Sequence, residues 1–210
     1  MRVLLAHGYN ETYSDYARLQ TWLCRLRSAG FGIDDFYAGM NVRGMRLPFG
    51  EIDSLWRSGD KVLLETYERL ARRSEDYDVL VNFGSVNLHP DFLAMLNTVN
   101  VFRFSDDPES SEQFSKPFAR GHDICAVANI AEVDTYREWG VKHVYWVPLG
   151  FWHDDYDPSR TEDEITSQRR DIDVTMLGER TSSYRRREVD RVSMDGVADR
   201  DRFRLEWSRR

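Results

Sequence analysis

Short apolar runs that alternate with helix-patterned segments constrain this chain more than any other feature. Six runs recur: Arg2–Ala6 (RVLLA), Phe31–Tyr37, Asp78–Asn82 (DVLVN), Val99–Phe104, Asp123–Val127 and Val141–Val147. Most halt at glycine or polar residues. His7-Gly8-Tyr9 follows the first, Phe83-Gly84-Ser85 the third, Ser105-Asp106-Asp107-Pro108 the fourth and Pro148-Leu149-Gly150 the sixth. Strand, crossover helix and next strand at this spacing describe parallel βαβ units. The expected fold class is therefore α/β, a Rossmann-like, doubly wound, mainly parallel six-stranded sheet. Ligands of such sheets sit beyond the carboxyl ends of the strands, so the residues after each run are the first functional candidates.

The segments between the runs carry helix signals. Ser14 is placed to cap a helix with Asp15 in its first turn, Tyr16, Leu19, Leu23 and Leu26 form one apolar face, and Gly30 stops it. Ala38 to Trp56, with Gly39, Gly44, Pro48 and Gly50, reads as a long functional or mobile connection. A helix returns from about Gly59 to Arg73, Pro90 opens a short one, and Asn129 caps another that Gly140 ends.

Beyond Gly150 the character changes. Phe151 to Arg170 is charged, contains Pro158 and reads as an interdomain linker. Asp173–Leu177 (DVTML) is a new apolar run that stops at Gly178-Glu179-Arg180, followed by an arginine-rich helix pattern over Ser182–Val192. Ser193 to Arg210 reads as too polar to continue a sheet, although Phe203, Leu205 and Trp207 can pack as a short element. The expected organisation is a Rossmann-like domain over 1–150, a linker over 151–170, and the truncated start of a second βαβ domain over 171–210.

Composition excludes several function classes. With 41% hydrophobic and 13% aromatic residues the chain is globular material. A net charge of -7 argues against nucleic acid as the main partner. No apolar run approaches the roughly 18 to 20 residues of a membrane-spanning helix, and the opening MRVLLAHG is too short in its apolar stretch for a signal peptide. Cys24 and Cys125 form no metal-ligand spacing and read as buried free thiols of a reducing cytoplasm. Phosphate-loop, HExxH and GxSxG signatures are missing from the sequence.

Each candidate residue has a plainer reading beside the functional one. His7 can act as a general base toward a hydroxyl, or it can be a strand-end histidine donating a hydrogen bond to a nearby carbonyl. Gly8 and Tyr9 follow it into the same crevice, Gly8 either admitting a ligand to the backbone or serving the turn. Asp106 and Asp107 suit proton abstraction or hydrogen bonding to sugar hydroxyls, and equally suit turn and cap chemistry before Pro108. Gly84 and Ser85 can line the cleft or form an ordinary turn. Tyr145, Trp146, Phe151 and Trp152 can stack on sugar faces or simply pack.

The strings FRFSDDPESS, HDICAVAN, TYREWGVKHVYWVPLGF and DIDVTMLGER together resemble the CgeB-like glycosyltransferases, most strongly from Val99 to about Arg180. The resemblance implies a GT-B enzyme of two Rossmann-like domains, here the acceptor-side domain and the beginning of the donor-side one. It implies a nucleotide sugar as donor substrate, an acceptor hydroxyl, no cofactor and no metal. Gly178 and Arg180 then approach the donor diphosphate, where backbone N–H groups and a basic side chain oppose its charge, unless they are a plain βα turn. Little transfer activity is expected of such a chain alone, and an exposed apolar face is expected to make it prone to association. The alternative is a non-catalytic Rossmann-like module that binds a small ligand or a protein. A signalling receiver domain would call for an acidic cluster after the first strand, where this chain has His7-Gly8.

Overall fold

A computed structural model describes residues 1–9, 14–39, 47–83, 88–105, 107–108, 110–149, 174–178 and 203–207. The chain divides into two compact units, Met1–Gly150 and Phe151–Arg210. The first is built on six parallel strands: β1 (Arg2–His7), β2 (Gly32–Tyr37), β3 (Val79–Phe83), β4 (Val99–Phe104), β5 (Ile124–Val127) and β6 (His143–Trp146). Their order across the sheet is β2-β1-β3-β4-β5-β6. This is an α/β, Rossmann-like sheet, all-parallel, with its direction of winding reversed at β1.

Strand alternation divides the core between the two faces. On one face Leu4, Ala6, Leu80, Phe102, Phe104, Cys125, Val127 and Val144 are buried beneath five helices: α2 (Phe49–Ser58), α3 (Lys61–Ser74), α4 (Pro90–Leu93), α5 (Lys116–Ala119) and α6 (Glu132–Glu138). On the other, α1 (Ser14–Ser28) lays Leu19, Leu23 and Leu26 on Val3, Leu5, Ile33, Val81 and Phe83. That helix covers only β2, β1 and β3. The β4–β6 half of its face carries Val99 at 44% and Tyr145 at 56% exposure, and no described helix packs on it. All-parallel sheets are ordinarily covered on both sides, so a half-face that no described helix covers, hereafter the bare half-face, is a distinctive feature.

Local chemistry explains the element ends and three departures from expectation. The connection read as a loop from Ala38 to Trp56 contains α2. Phe49, Ile52, Leu55 and Trp56 recur at helical spacing and pack on the core, and this burial outweighs the roughly 1 kcal/mol that Gly50 costs inside a helix. Gly59, at φ 68°, closes α2 in the left-handed region, and the Asp60 carboxylate caps α3 by accepting from the Leu63 N–H at 2.9 Å. In the second unit β7 (Val174–Gly178) pairs in parallel with β8 (Phe203–Trp207), in a stretch expected to hold no further strand. The FRLEW alternation is a strand pattern whose polar partners masked it. A third departure concerns cysteine: Cys125 is buried, its thiol pushed up to about 12 by desolvation, but Cys24 is exposed because it lies one position past the Leu19–Leu23 stripe.

His122 shows the core's dependence on neutral groups. Fully enclosed, it donates from Nδ1 to the Phe118 carbonyl (2.9 Å) and accepts at Nε2 from Asn82 Nδ2 (3.3 Å). Burial lowers its pKa to about 4. The unfolded chain thus binds the extra proton between about pH 4 and 6.5, and stability rises with pH across that window. Lowering the pH from 7 to 4 is expected to cost the wild type on the order of 3 kcal/mol at this site. Urea melts across the window should show a correspondingly shallower loss in His122→Gln, and equal slopes would refute the assignment.

Candidate functional site

Parallel register brings one residue from each strand into a single row at the carboxyl edge of the sheet. Tyr37 pairs with His7, His7 with Phe83, Phe83 with Arg103, Arg103 with Ala126 and Ala126 with Tyr145. Cross-strand partners share a face, so the row lies on the α1 side and runs out onto the bare half-face. The winding reverses at β1, between β2 and β3, and the crevice of an open α/β sheet opens at such a point.

His7, at the centre of the crevice, is buried and fully bonded. Its Nδ1 accepts from the Tyr9 N–H (3.2 Å), which leaves Nε2–H to donate to Asp35 Oδ2 (3.3 Å). Gln20 Nε2 donates to the same oxygen at 2.9 Å, and Arg27 Nη2 reaches Oδ1 at 3.2 Å. Burial pushes the His7 pKa down against the raising influence of Asp35. Burial also pushes Asp35 up, but the hydrogen bonds from Gln20, His7 and Arg27 outweigh it and hold the carboxylate below its ordinary range. His7 is thus a neutral imidazole locked between two partners, positioning the β1 exit. A proton-accepting role would require the Tyr9 N–H to let go of Nδ1.

Around this network stands an aromatic collar. Tyr9, Tyr16 and Tyr37 have ring centroids 6.1 to 6.2 Å from that of His7, and Phe83 lies 6.4 Å from both Tyr9 and Trp22. Trp22 and Tyr37 are 36% and 38% exposed, so ring surface is presented to solvent. Gly8, buried, carries the chain from β1 to Tyr9. Tyr9 and the Phe83 turn were among the sequence candidates and Tyr16 was read as part of an apolar helix face, but Trp22, Tyr37 and Asp35 escaped the sequence reading. The spacing of Gln20 and Arg27 by seven, and of Ile33, Asp35 and Tyr37 by two, marks them as sharing one helix face and one strand face.

Asp107 lies at the β4 exit and is equally engaged. One carboxylate oxygen accepts from Ser115 Oγ, the other from the Tyr136 hydroxyl at 2.6 Å. Ser115 ends a π-helical turn, Ser111–Ser115, that runs straight into α5. Asp107 thereby ties the β4 exit to α6 and to the start of α5. Burial, then the Asp107 charge, raises the Tyr136 pKa, and the same two causes in the same order raise that of buried Glu132.

Asp106, Gly84, Ser85, Arg180, Phe151 and Trp152 lie outside the described residues. Gly178 is the last residue of β7, opposite Trp207, one position earlier than the turn expected to hold it. Tyr145 and Trp146 are both exposed, the Trp146 indole N–H donating to the Ala128 carbonyl at 3.1 Å. Among the described residues no group of three or more metal-ligating side chains gathers, and no helix is long and apolar enough to cross a membrane.

A second histidine–aspartate pair lies away from the strand exits. Buried His89 sits between the Phe49 and Trp56 rings, 5.6 and 5.3 Å away, with Nε2 3.4 Å from Asp53 Oδ1. Its Nδ1 accepts from the Asp91 N–H and starts α4, so it too is a structural imidazole.

With this geometry in hand, the fold is that of an α/β protein whose parallel sheet reverses its winding at β1, the place where open sheets of this kind hold their ligands. No protein-family model matches the chain, and no curated protein matches it either.

If Asp107 is an anchor, Tyr136→Phe should lower stability by about 1.5 to 3 kcal/mol, the range for a hydrogen bond to a charged group. Denaturant melts measure this directly, and a change below about 0.5 kcal/mol would show that the bond holds nothing.

Proposed function

We propose that the unit Met1–Gly150 is the acceptor-side domain of a GT-B type glycosyltransferase. Such an enzyme moves a sugar from a nucleotide-sugar donor to an acceptor hydroxyl. The observation that carries this reading is the aromatic collar of Tyr9, Tyr16, Trp22, Tyr37 and Phe83 at the crevice. Aromatic faces receive the C–H groups of a sugar ring, while a polar network beneath fixes the strand end that presents them. The resemblance of the Val99–Arg180 strings to CgeB-like enzymes points the same way. In this reading the acceptor hydroxyl attacks the anomeric carbon, the nucleoside diphosphate departs, and positive charge near that diphosphate stabilises the departing group. Gly178 and Arg180 are the proposed donor-phosphate contacts.

One observation favours a second reading, a non-catalytic ligand-binding module. His7 and Asp107 both have their bonding atoms committed to the protein's own groups, so neither stands ready to take a proton. The two readings share the crevice and differ in chemistry.

Saturation-transfer NMR with neutral monosaccharides and short glycans separates sugar recognition from other ligands. Binding is expected, weakened about three- to tenfold by Trp22→Ala, in line with the 0.5 to 1.5 kcal/mol of an aromatic contact. Absence of sugar binding would overturn the acceptor assignment. Incubation with a panel of nucleotide sugars and the bound glycan should give little or no transfer by this chain, and efficient transfer would overturn its placement on the acceptor side alone.

A further inference from the structure

We propose that Arg103 is an anion-binding residue of the carboxyl edge, and that the sugar received there carries a carboxylate or phosphate group. This rests on the acceptor reading above and names the substrate class for the same site.

Arg103 occupies the β4 position of the cross-sheet row, between Phe83 and Ala126. Its side chain is half-buried. Its hydrogen bonds run from Nη1 to two backbone carbonyls, Phe104 at 2.9 Å and Ala126 at 3.4 Å, and among the described residues no carboxylate pairs with it. Several other described guanidiniums do have such partners: Arg27 meets Asp34 and Asp35, Arg57 meets Asp53, Arg72 meets Glu68 and Arg137 meets Asp134. Arg2, Arg69 and Arg120 have none among the described residues, but they are exposed to water, whereas Arg103 is half-buried. Asp107, the nearby acid at the same strand exit, is turned to Ser115 and Tyr136 instead. Withdrawing a cation from water without a counter-charge is unfavourable. A partly desolvated arginine left without a carboxylate among the described residues is poised for an anion from outside.

The surroundings supply the rest of a site. Nε and Nη2 hold no hydrogen bond among the described residues, and this edge of the guanidinium fork engages an oxyanion through two parallel bonds. Ala126 is the small member of the row, and Tyr145 stands beyond it, 56% exposed. At the usual strand spacing Arg103 and Tyr145 are about 10 Å apart across the bare sheet. That interval accepts one sugar ring, with Phe83 on the far side of Arg103 continuing toward the collar.

Calorimetric titration of the full chain tests this with matched pairs: glucose against glucuronate and glucose 6-phosphate, galactose against galacturonate, and inorganic phosphate alone. At least one acidic sugar is expected to bind about tenfold or more tighter than its neutral partner, the lower range of a charge-assisted bond. The carboxylate and phosphate arms distinguish which group is read. Arg103→Met should abolish that excess and leave neutral-sugar binding intact, while Arg103→Lys should keep part of it. Equal binding of acidic and neutral sugars by the wild type would overturn the proposal while sparing the acceptor reading, and this comparison does not depend on any variant folding. No sugar binding of either kind would overturn both. Inorganic phosphate binding as tightly as the sugar phosphate would overturn the sugar part of the assignment.

Discussion

Backbone hydrogen bonding on both sides of β1 is the constraint from which the rest follows. β1 satisfies its N–H and C=O groups by pairing on both sides with strands that run its own way, and consecutive parallel strands must be joined by a crossover. β1 meets β2 on one side and β3 on the other, so the winding must reverse there. Among the described helices, the reversal leaves α1 alone on one face and sends the others to the opposite face. One arrangement of bonds thus produces the crevice, the row of exit residues and the bare half-face together.

Polar groups at the crevice obey the same demand for partners. Asp35 collects donors from His7, Gln20 and Arg27, and Asp107 collects two hydroxyls. These residues are ordered by satisfaction rather than held ready for chemistry. Among the described residues, what remains available at the edge is aromatic surface and the guanidinium of Arg103. The proposed acceptor-side role would use such an edge to hold a sugar rather than to activate one.

Much of the fold was legible in the sequence. The β4 bounds coincide with the apolar run, and β1, β3, β5 and β6 depart from theirs by a few residues at the ends, because a continuous apolar run bounded by turn residues has few other ways to be buried. α2 was not legible: Gly50 and the preceding glycines weighed against it, and only packing of Ile52 and Trp56 on the core reverses that preference. β8 was missed for a related reason, its alternation being diluted by charge. Of the candidate site, His7 and Asp107 were named by strand-end position, but their partners were not, since Asp35 is 28 residues from His7 and Tyr136 is 29 from Asp107.

The sequence by itself determined that parallel strands would form and that their polar exits would matter, because apolar periodicity and turn chemistry act within a few residues. Only the tertiary structure decided the strand order, the commitment of His7 and Asp107 to internal partners, and the pairing of Arg103 with backbone carbonyls rather than with any described carboxylate. Those depend on which distant residues the ladder brings within about 3 Å of one another, and hydrogen bonds discriminate at that range.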